Sequence, residues 1–328
     1  MRLEVVSETE RLFEFAPEWC RFARTQPRVT PFQLPDWLIP WWRHFGSGSL
    51  RVLVFRKPEC VGVVPCFLHE WNGARQLTLI GSGISDYLDP VLLVEYEQAI
   101  LSCLNEYLSS SNEWDVCDWQ DLVDDTPLNT LAGGSCDFDK REEVECSRTV
   151  LGGTFEQFWD ERPRHLKRNV RRYAEKARQS GALDFEATRK ANPKLLDSLI
   201  RLHAARWCSR GESGMIEANH SAEFLTDIAQ QFAEKNMLRL FSLRYGGEIR
   251  AVILAFVYQE IAYGYLTGFE PAYGHLSLAS VLLKEALREC YGDGLRAWDF
   301  CRGDEPYKQD WGAQPVRRCR LMLQRRRS

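Results

Sequence analysis

The sequence predicts an α/β chain with a mixed sheet, arranged in two successive domains, and three observations carry that expectation. Its 328 residues exceed the size at which one hydrophobic core grows comfortably, which places a division near 1–150 and 151–328. Near-continuous apolar runs of strand length alternate with helical patterns in the first part. In the second part, a run of helical segments gives way to a period-two block of strands, followed by a helix, a strand, a charged loop and a last strand.

The first part opens with a strand over Arg2 to Ser7 and a helix over Leu12 to Arg24. In the next segment Trp37, Trp41 and Phe45 recur every fourth residue, so they share one helical face, and Gly46 supplies the stop. Such a stripe reads first as core packing, with a carbohydrate-stacking platform as the functional alternative. Strands follow over Leu50 to Arg56, Cys60 to His69 and Gln76 to Ile80. The turn-rich Gly81 to Pro90 resembles half of a phosphate cradle without its lysine, and Asp86, Tyr87 and Asp89 are candidates to line a cleft. A helix over Tyr96 to Leu108, a strand over Val116 to Leu122 and a loop over Asp124 to Lys140 complete this part.

The second part begins at Thr154-Phe155-Glu156-Gln157, which has the form of a capping box. Pro163 interrupts that helix, and a new one runs from Arg164 towards Ser180, with Gly181 placed to end it. Leu166, Val170, Ala174 and Ala177 form its apolar stripe. The opposite face is cationic, carrying Arg164, Lys167, Arg168, Arg171, Arg172, Lys176 and Arg178; it is either solvated or a contact for a nucleotide, an anionic polymer, an RNA or a membrane surface. Asn192-Pro193 caps and starts the third helix, which carries Leu196, Leu199 and His203 on one side. The polar run after it, Trp207 to Gly214, includes Arg210 as a candidate acceptor contact. After a helix over Ser221 to Glu234, strands over Arg239 to Tyr245 and Ile249 to Tyr258 flank the hairpin signal Gly246-Gly247. A strand over Ala262 to Thr267, a helix over Leu278 to Tyr291, and strands over Ala297 to Cys301 and Arg318 to Gln324 close the chain.

Composition narrows the function. An apolar fraction of 45% with 12% aromatics predicts filled cores and excludes a disordered chain. A formal net charge of −4 argues against a general nucleic-acid binder and against a DNA partner, although charge is uneven: Asp86 to Glu145 is acidic, while Arg162 to Arg178 holds eight Lys or Arg against the single Glu175. The eleven cysteines include no CxxC pair, and the six histidines are dispersed, so neither a zinc site nor metal-dependent hydrolysis is expected. With no signal-like segment and no apolar run near the roughly 20 residues that span a bilayer, a cytoplasmic location is expected.

The densest chemistry lies in Asp299-Phe300-Cys301-Arg302-Gly303-Asp304-Glu305-Pro306-Tyr307-Lys308 and Trp311-Gly312, at a strand exit. With Gly268-Phe269-Glu270-Pro271-Ala272-Tyr273, Ser277 and Leu282-Leu283, this run resembles the GNAT-like acetyltransferase family associated with bacterial cellulose and exopolysaccharide biosynthesis, a relative of the Fem peptidoglycan-bridge transferases. The likeness covers the last 175 residues or so well and the first 150 loosely. It implies two tandem GNAT-like subdomains, the first degenerate and the second carrying the donor site, and transfer of an acyl group from acetyl-CoA or another acyl-CoA to an amine without a metal. Fem relatives instead take an aminoacyl group from tRNA.

In GNAT folds the donor's pyrophosphate rests on backbone N–H groups at the start of the helix after the fourth strand. The resemblance puts that place at Tyr273, Gly274, His275, Ser277, Ala279 and Ser280. The family's Ser-Pro-Gly is here Ser277-Leu278-Ala279, which removes the glycine that eases close approach of backbone to phosphate. Transfer to an amine needs a neutral nucleophile, a stabilised oxyanion and a proton for the departing thiolate. Asp304 or Glu305 is the candidate proton acceptor, Lys308 the oxyanion stabiliser as in the Fem relatives, and Tyr307 the thiolate's proton donor. Arg210, Arg302 and Trp311 are candidate substrate contacts, and Asp299 is expected to hold Arg302 in an ion pair. A small amine or a glycan precursor is the expected acceptor. The alternatives are a tRNA-dependent aminoacyl transferase and a non-catalytic module of a polysaccharide assembly.

Overall fold

In the computed structural model, residues 1–131, 136–208 and 220–326 are described. The chain forms two units, one of residues 1–144 with 317–328 and one of residues 145–316. The elements in chain order are β1 (Arg2–Val6), α1 (Thr9–Arg24), α2 (Pro35–Phe45), β2 (Ser49–Arg56), β3 (Cys60–Trp71), β4 (Ala74–Leu79), β5 (Val91–Leu92), α3 (Glu97–Ser110) and β6 (Val116–Val123). Then come β7 (Cys136–Val150), α4 (Phe155–Glu161), α5 (Arg164–Ser180), β8 (Leu183–Thr188), α6 (Pro193–Cys208), α7 (Ser221–Glu234), β9 (Leu238–Tyr245), β10 (Glu248–Tyr258) and β11 (Ile261–Phe269). The last are α8 (Leu278–Gly292), β12 (Ala297–Arg302), α9 (Tyr307–Asp310) and β13 (Gln314–Arg325). The expected α/β class with a mixed sheet is what the chain adopts.

In the first unit the strands lie in the order β1-β2-β3-β4-β6-β13. All neighbours are antiparallel except β4 and β6. The stripe on α2 is core: Trp37 is fully buried and Trp41 nearly so, with Phe32 edge-on to Trp37 at 4.8 Å. That geometry leaves no flat aromatic surface for a sugar. Asp86 and Tyr87 are also buried, so they do not line an open cleft. Arg318 explains why: this arginine, 1% exposed, donates to Asp121 at 2.5 Å and to the Asp86 carbonyl at 3.1 Å, with the Glu143 carboxylate at 3.5 Å. A buried guanidinium is tolerable only when carboxylates and carbonyls replace its water.

The second unit orders its strands β7-β12-β11-β10-β9-β8, with β11 and β12 parallel and the other neighbours antiparallel. The capping box is present, Thr154 Oγ1 accepting from Gln157 N and Gln157 Oε1 accepting from Thr154 N. Leu166, Val170, Ala174 and Ala177 of α5 are all buried, in one apolar cluster with Val281, Leu282 and Ala286 of α8 and with sheet residues Phe241, Ile253 and Ala262. Asn192 Oδ1 accepts from Lys194 N at 3.1 Å, capping α6 as expected. Gly246 and Gly247, at φ 61° and 83°, make the β9–β10 turn that only a pair of left-handed residues makes tightly.

Three strands escape the sequence patterns, the shortest being the two-residue β5. The segment expected to be loop through Lys140 is strand from Cys136, because the side chains from Asp137 to Glu142 are exposed on a charged strand that carries no apolar alternation. β8, at the edge of its sheet, is likewise only half-buried.

Removing the Arg318 guanidinium leaves Asp121 and Asp86 buried beside an uncompensated cavity. Arg318→Ala is expected to lower the stability of the first unit by about 3–5 kcal/mol, read as a lower urea midpoint for that unit. An unchanged midpoint would contradict the role given to this arginine.

Candidate functional site

β11 and β12 pair for only three residues, Ile261↔Ala297, Ala262↔Trp298 and Tyr263↔Asp299. Asp299 is where they part. Its carboxylate is fully buried; Oδ1 accepts from Cys301 N at 2.7 Å and Oδ2 from Arg148 Nε at 2.9 Å. Cys301 is thereby held at φ 57°, and the β12–β7 register shifts between Asp299 and Arg302. Arg148 of β7 forms an ion pair with Asp299, and Arg302, the partner expected from the sequence, is exposed. From Gly264 to Phe269, β11 pairs with β10 on one side, while its other edge faces the gap that β12 leaves.

The loop after β12 is built around Lys308. Its side chain is 3% exposed, and Nζ donates to the carbonyls of Cys301 at 3.3 Å, Arg302 at 3.1 Å and Gly303 at 2.8 Å. An ammonium has three protons, and these three oxygens occupy them. Glu305 Oε2 lies 2.9 Å from the same nitrogen. Gly303 makes the arrangement possible: it sits at φ 125°, and a Cβ there would lie 2.9 Å from Lys308 Nζ and would collide with the Glu305 carboxylate.

Glu305 has a second cation that the sequence did not flag. Arg206, in the last turn of α6, has Nη2 3.7 Å from Glu305 Oε1 and stacks over the Phe269 ring at 5.3 Å. Desolvation pushes the Glu305 carboxyl up, but Lys308 first and then Arg206 overturn it, leaving the pKa below its ordinary value. Glu305 is therefore a fixed carboxylate. Asp304 beside it is exposed and has no ion-pair partner among the described residues. The Tyr307 ring is 45% exposed and packs edge-on to Phe300 at 6.2 Å. Protein crowding around its hydroxyl, and then the Glu305 charge, raise its pKa, so the phenol keeps its proton.

α6 closes the same region. His203, nearly buried, places Nδ1 3.4 Å from the Thr267 carbonyl on β11. Burial pushes its pKa down to about 4, the Thr267 carbonyl opposes that shift, and Arg206 adds to it. The imidazole is neutral in the fold.

The expected donor segment leads into α8. Pro271–Leu276 is a 3₁₀ turn, and Ser277 follows at φ 41° as the residue before the helix, its Oγ 3.0 Å from Ser280 Oγ. Tyr273 is half-buried between the Tyr245 ring at 5.3 Å and the Arg250 guanidinium at 4.8 Å, whereas Gly274 and His275 are exposed. Ala279 is in the first turn, where backbone N–H groups lack helical acceptors. Ser277 does not cap the first-turn donors of this 15-residue helix with its side chain, although its carbonyl accepts from Ser280 N at 3.0 Å.

Among the remaining candidates, Trp311 is 1% exposed and packs on Trp159 at 5.6 Å, so it belongs to the core rather than to a substrate. Its carbonyl accepts from Arg162 at 2.7 Å and Thr149 at 3.1 Å. Arg210 lies outside the described residues. Among those described, no group of His, Cys, Asp and Glu side chains is arranged to hold a metal ion, and no helix is long and apolar enough to cross a membrane.

Residues 164–309 match the sequence model of a family described as an acetyltransferase (GNAT) domain. That stretch runs from the start of α5 into α9. No curated protein sequence matches the chain. Among solved structures, FemX superposes with a TM-score of 0.69 at 10% identity, over 98% of this chain and 97% of that one. The C-terminal domain (DUF2156) of a putative lysylphosphatidylglycerol synthetase from Agrobacterium fabrum gives 0.58 at 11%, over 95% and 92%. A tandem GNAT protein from the clavulanic acid biosynthesis pathway gives 0.50 at 14%, over the whole of both chains. At these identities the likeness is one of fold, and the fold is that of tandem GNAT proteins and FemX.

His203 gives the site a pH signature. Its folded pKa of about 4 lies below the ordinary 6.5, so the unfolded chain binds this proton more readily. The stability tied to neutral His203 is complete above pH 6.5 and is lost as pH falls towards 4. The melting temperature of His203→Gln is expected to fall less steeply than that of the native chain across that interval. Parallel curves would show that His203 is not buried neutral.

Proposed function

We propose that the second unit is an acyl-CoA-dependent N-acyltransferase, with acetyl-CoA as the expected donor and an amine of a small molecule or of a glycan or cell-envelope precursor as acceptor. The single observation that carries this reading is the parting of β11 from β12 after Tyr263 and Asp299, next to a chain segment that runs from β11 directly into the open N-terminus of α8. A thioester arm laid in that gap runs along the edge of β11 that has no strand partner among the described residues beyond Tyr263, while its pyrophosphate meets the first-turn N–H groups around Leu278 and Ala279. The GNAT-domain match over residues 164–309 supports the same donor class.

In this reading the reaction is direct. The neutral amine attacks the thioester carbonyl, the tetrahedral oxyanion collapses, the C–S bond breaks, and the thiolate takes a proton. Tyr307, whose phenol stays protonated, gives that proton to sulfur. Asp304, exposed and without an ion-pair partner among the described residues, accepts the amine proton directly or through water. Glu305 and Lys308 serve the site by position: with its protons turned to the carbonyls of residues 301–303, Lys308 shapes the loop rather than reaching the oxyanion. Arg206 holds Glu305 from the α6 side. Arg302, exposed at the end of β12, is the proposed acceptor contact.

The cationic face of α5 supports a second reading, a tRNA-linked donor as in the Fem transferases. Saturable, salt-sensitive tRNA binding without acetyl-CoA binding would replace the first reading with this one. The direct test is incubation with several acyl-CoA donors and a panel of amines, followed by mass spectrometry for acylated product. A purified chain that shows neither heat nor thermal shift with millimolar acetyl-CoA would overturn the acyl-CoA reading. Once a substrate is in hand, Tyr307→Phe is expected to lower kcat by about 10²- to 10⁴-fold with acetyl-CoA affinity unchanged. Full turnover would remove Tyr307 from the chemistry.

A further inference from the structure

A cleft of about 460 Å³ lies between α5 and α8. Its floor is apolar, made by Val170 and Ala174 of α5 and Val281 of α8, with Trp159 at its wall. Its rim is cationic, with Arg164, Arg168, Arg171 and Arg178 on one side and Lys284 on the other. Three carboxylates also line it, and each is engaged: Asp160 by Lys167, Glu175 by Arg171 at 3.7 Å, and Glu285 by Arg288. Arg164, Arg168 and Arg178 have no ion-pair partner among the described residues. Burial, together with the nearby Arg288 and Arg178, pushes the Lys284 pKa down against the opposing Glu285. Cations crowded over an apolar floor describe a site complementary to a phosphorylated, ring-bearing ligand.

The position of the cleft narrows that class. α5 ends at Ser180, whose hydroxyl is 2.8 Å from the Tyr245 hydroxyl, and the Tyr245 ring packs on Tyr273 of the donor segment. At 1.5 Å per residue, Val281 and Lys284 lie about 4.5 Å and about 9 Å along α8 from Leu278. The cleft therefore begins one turn beyond the N–H groups assigned to the donor's pyrophosphate. In coenzyme A a single ribose carries both the pyrophosphate and a 3′-phosphate, and the adenine projects from it.

We infer that the α5–α8 cleft holds the 3′-phosphorylated nucleoside end of the acyl-CoA donor, its apolar floor receiving the base and its unpaired arginines the 3′-phosphate. This rests on the acyl-CoA reading above and adds to it the part of the donor that the basic helix recognises. The capping-box helix α4 and the basic helix α5 come before β8, and here they supply donor specificity rather than catalysis.

The test is calorimetric titration of the full chain, native and with Arg168→Ala or Arg178→Ala, using acetyl-CoA and 3′-dephospho-acetyl-CoA. Both arginines are on the solvent side of α5, away from its buried stripe. The native chain is expected to bind the dephospho donor about tenfold or more weakly, as loss of charge-assisted hydrogen bonds implies. Each variant is expected to bind acetyl-CoA more weakly while its affinity for the dephospho donor is unchanged. If the native chain binds both donors equally, the inference is overturned and the acyl-CoA reading stands. If the variants weaken both donors alike, the cleft does not read the 3′-phosphate and the inference is again overturned. If neither donor binds while tRNA binds in a way the α5 variants impair, the acyl-CoA reading and the inference fall together.

Discussion

The second unit is organised by one buried carboxylate. Asp299 takes the Cys301 N–H and the Arg148 guanidinium within its own strand neighbourhood, and satisfying both bends β12, shifting its register against β7 at the point where its pairing with β11 ends. A buried, ionised carboxylate would be costly without these donors, and with them it sets the direction of the chain. Everything downstream follows from that bend. The left-handed Cys301 costs on the order of 1–3 kcal/mol in backbone strain, and the carbonyls of residues 301–303 all accept from Lys308. The gap along β11 is the same event seen from the other side.

Charge is used in two ways in this molecule. Inside, cations are consumed by structure: Arg318 by Asp121 and Asp86, Arg148 by Asp299, and Lys308 by three carbonyls and Glu305. Each of these side chains is buried or half-buried, and removing a partner would leave a desolvated charge. On the outer face of α5 the arginines are exposed and several lack carboxylate partners, so their field acts on solvent and ligands instead. The sequence shows both kinds as the same letters. Burial separates a lysine that shapes a loop from arginines free to meet a phosphate.

The fold's local signals were legible because they are local. The capping box at Thr154 and Gln157, the Asn192 cap, the Gly246-Gly247 turn and the buried stripe of α5 each involve residues within a turn or two of one another. β7 and β8 were not, since a strand whose exposed face is charged or whose burial is partial lacks the alternation that marks strands. In the candidate site, the cluster from Asp299 to Lys308 was visible as a dense run of ionisable residues. The pairing within it was not. Arg148 meets Asp299 across 151 residues of sequence, and Arg206 reaches Glu305 from the last turn of α6. Trp311, which looked like a substrate contact, is core because Trp159 arrives beneath it.

By itself the sequence determined the α/β class, the order of most elements, the basic face of α5 and the segment in which ionisable chemistry concentrates, because periodicity, caps and charge spacing act between near neighbours. Only the tertiary structure decided which of those charges are available. It tied up Lys308 and Glu305, left Asp304 and the rim of the α5–α8 cleft open, and set where β11 and β12 part. Those outcomes depend on desolvation and on partners brought together from distant parts of the chain, and neither is written in the spacing of residues along it.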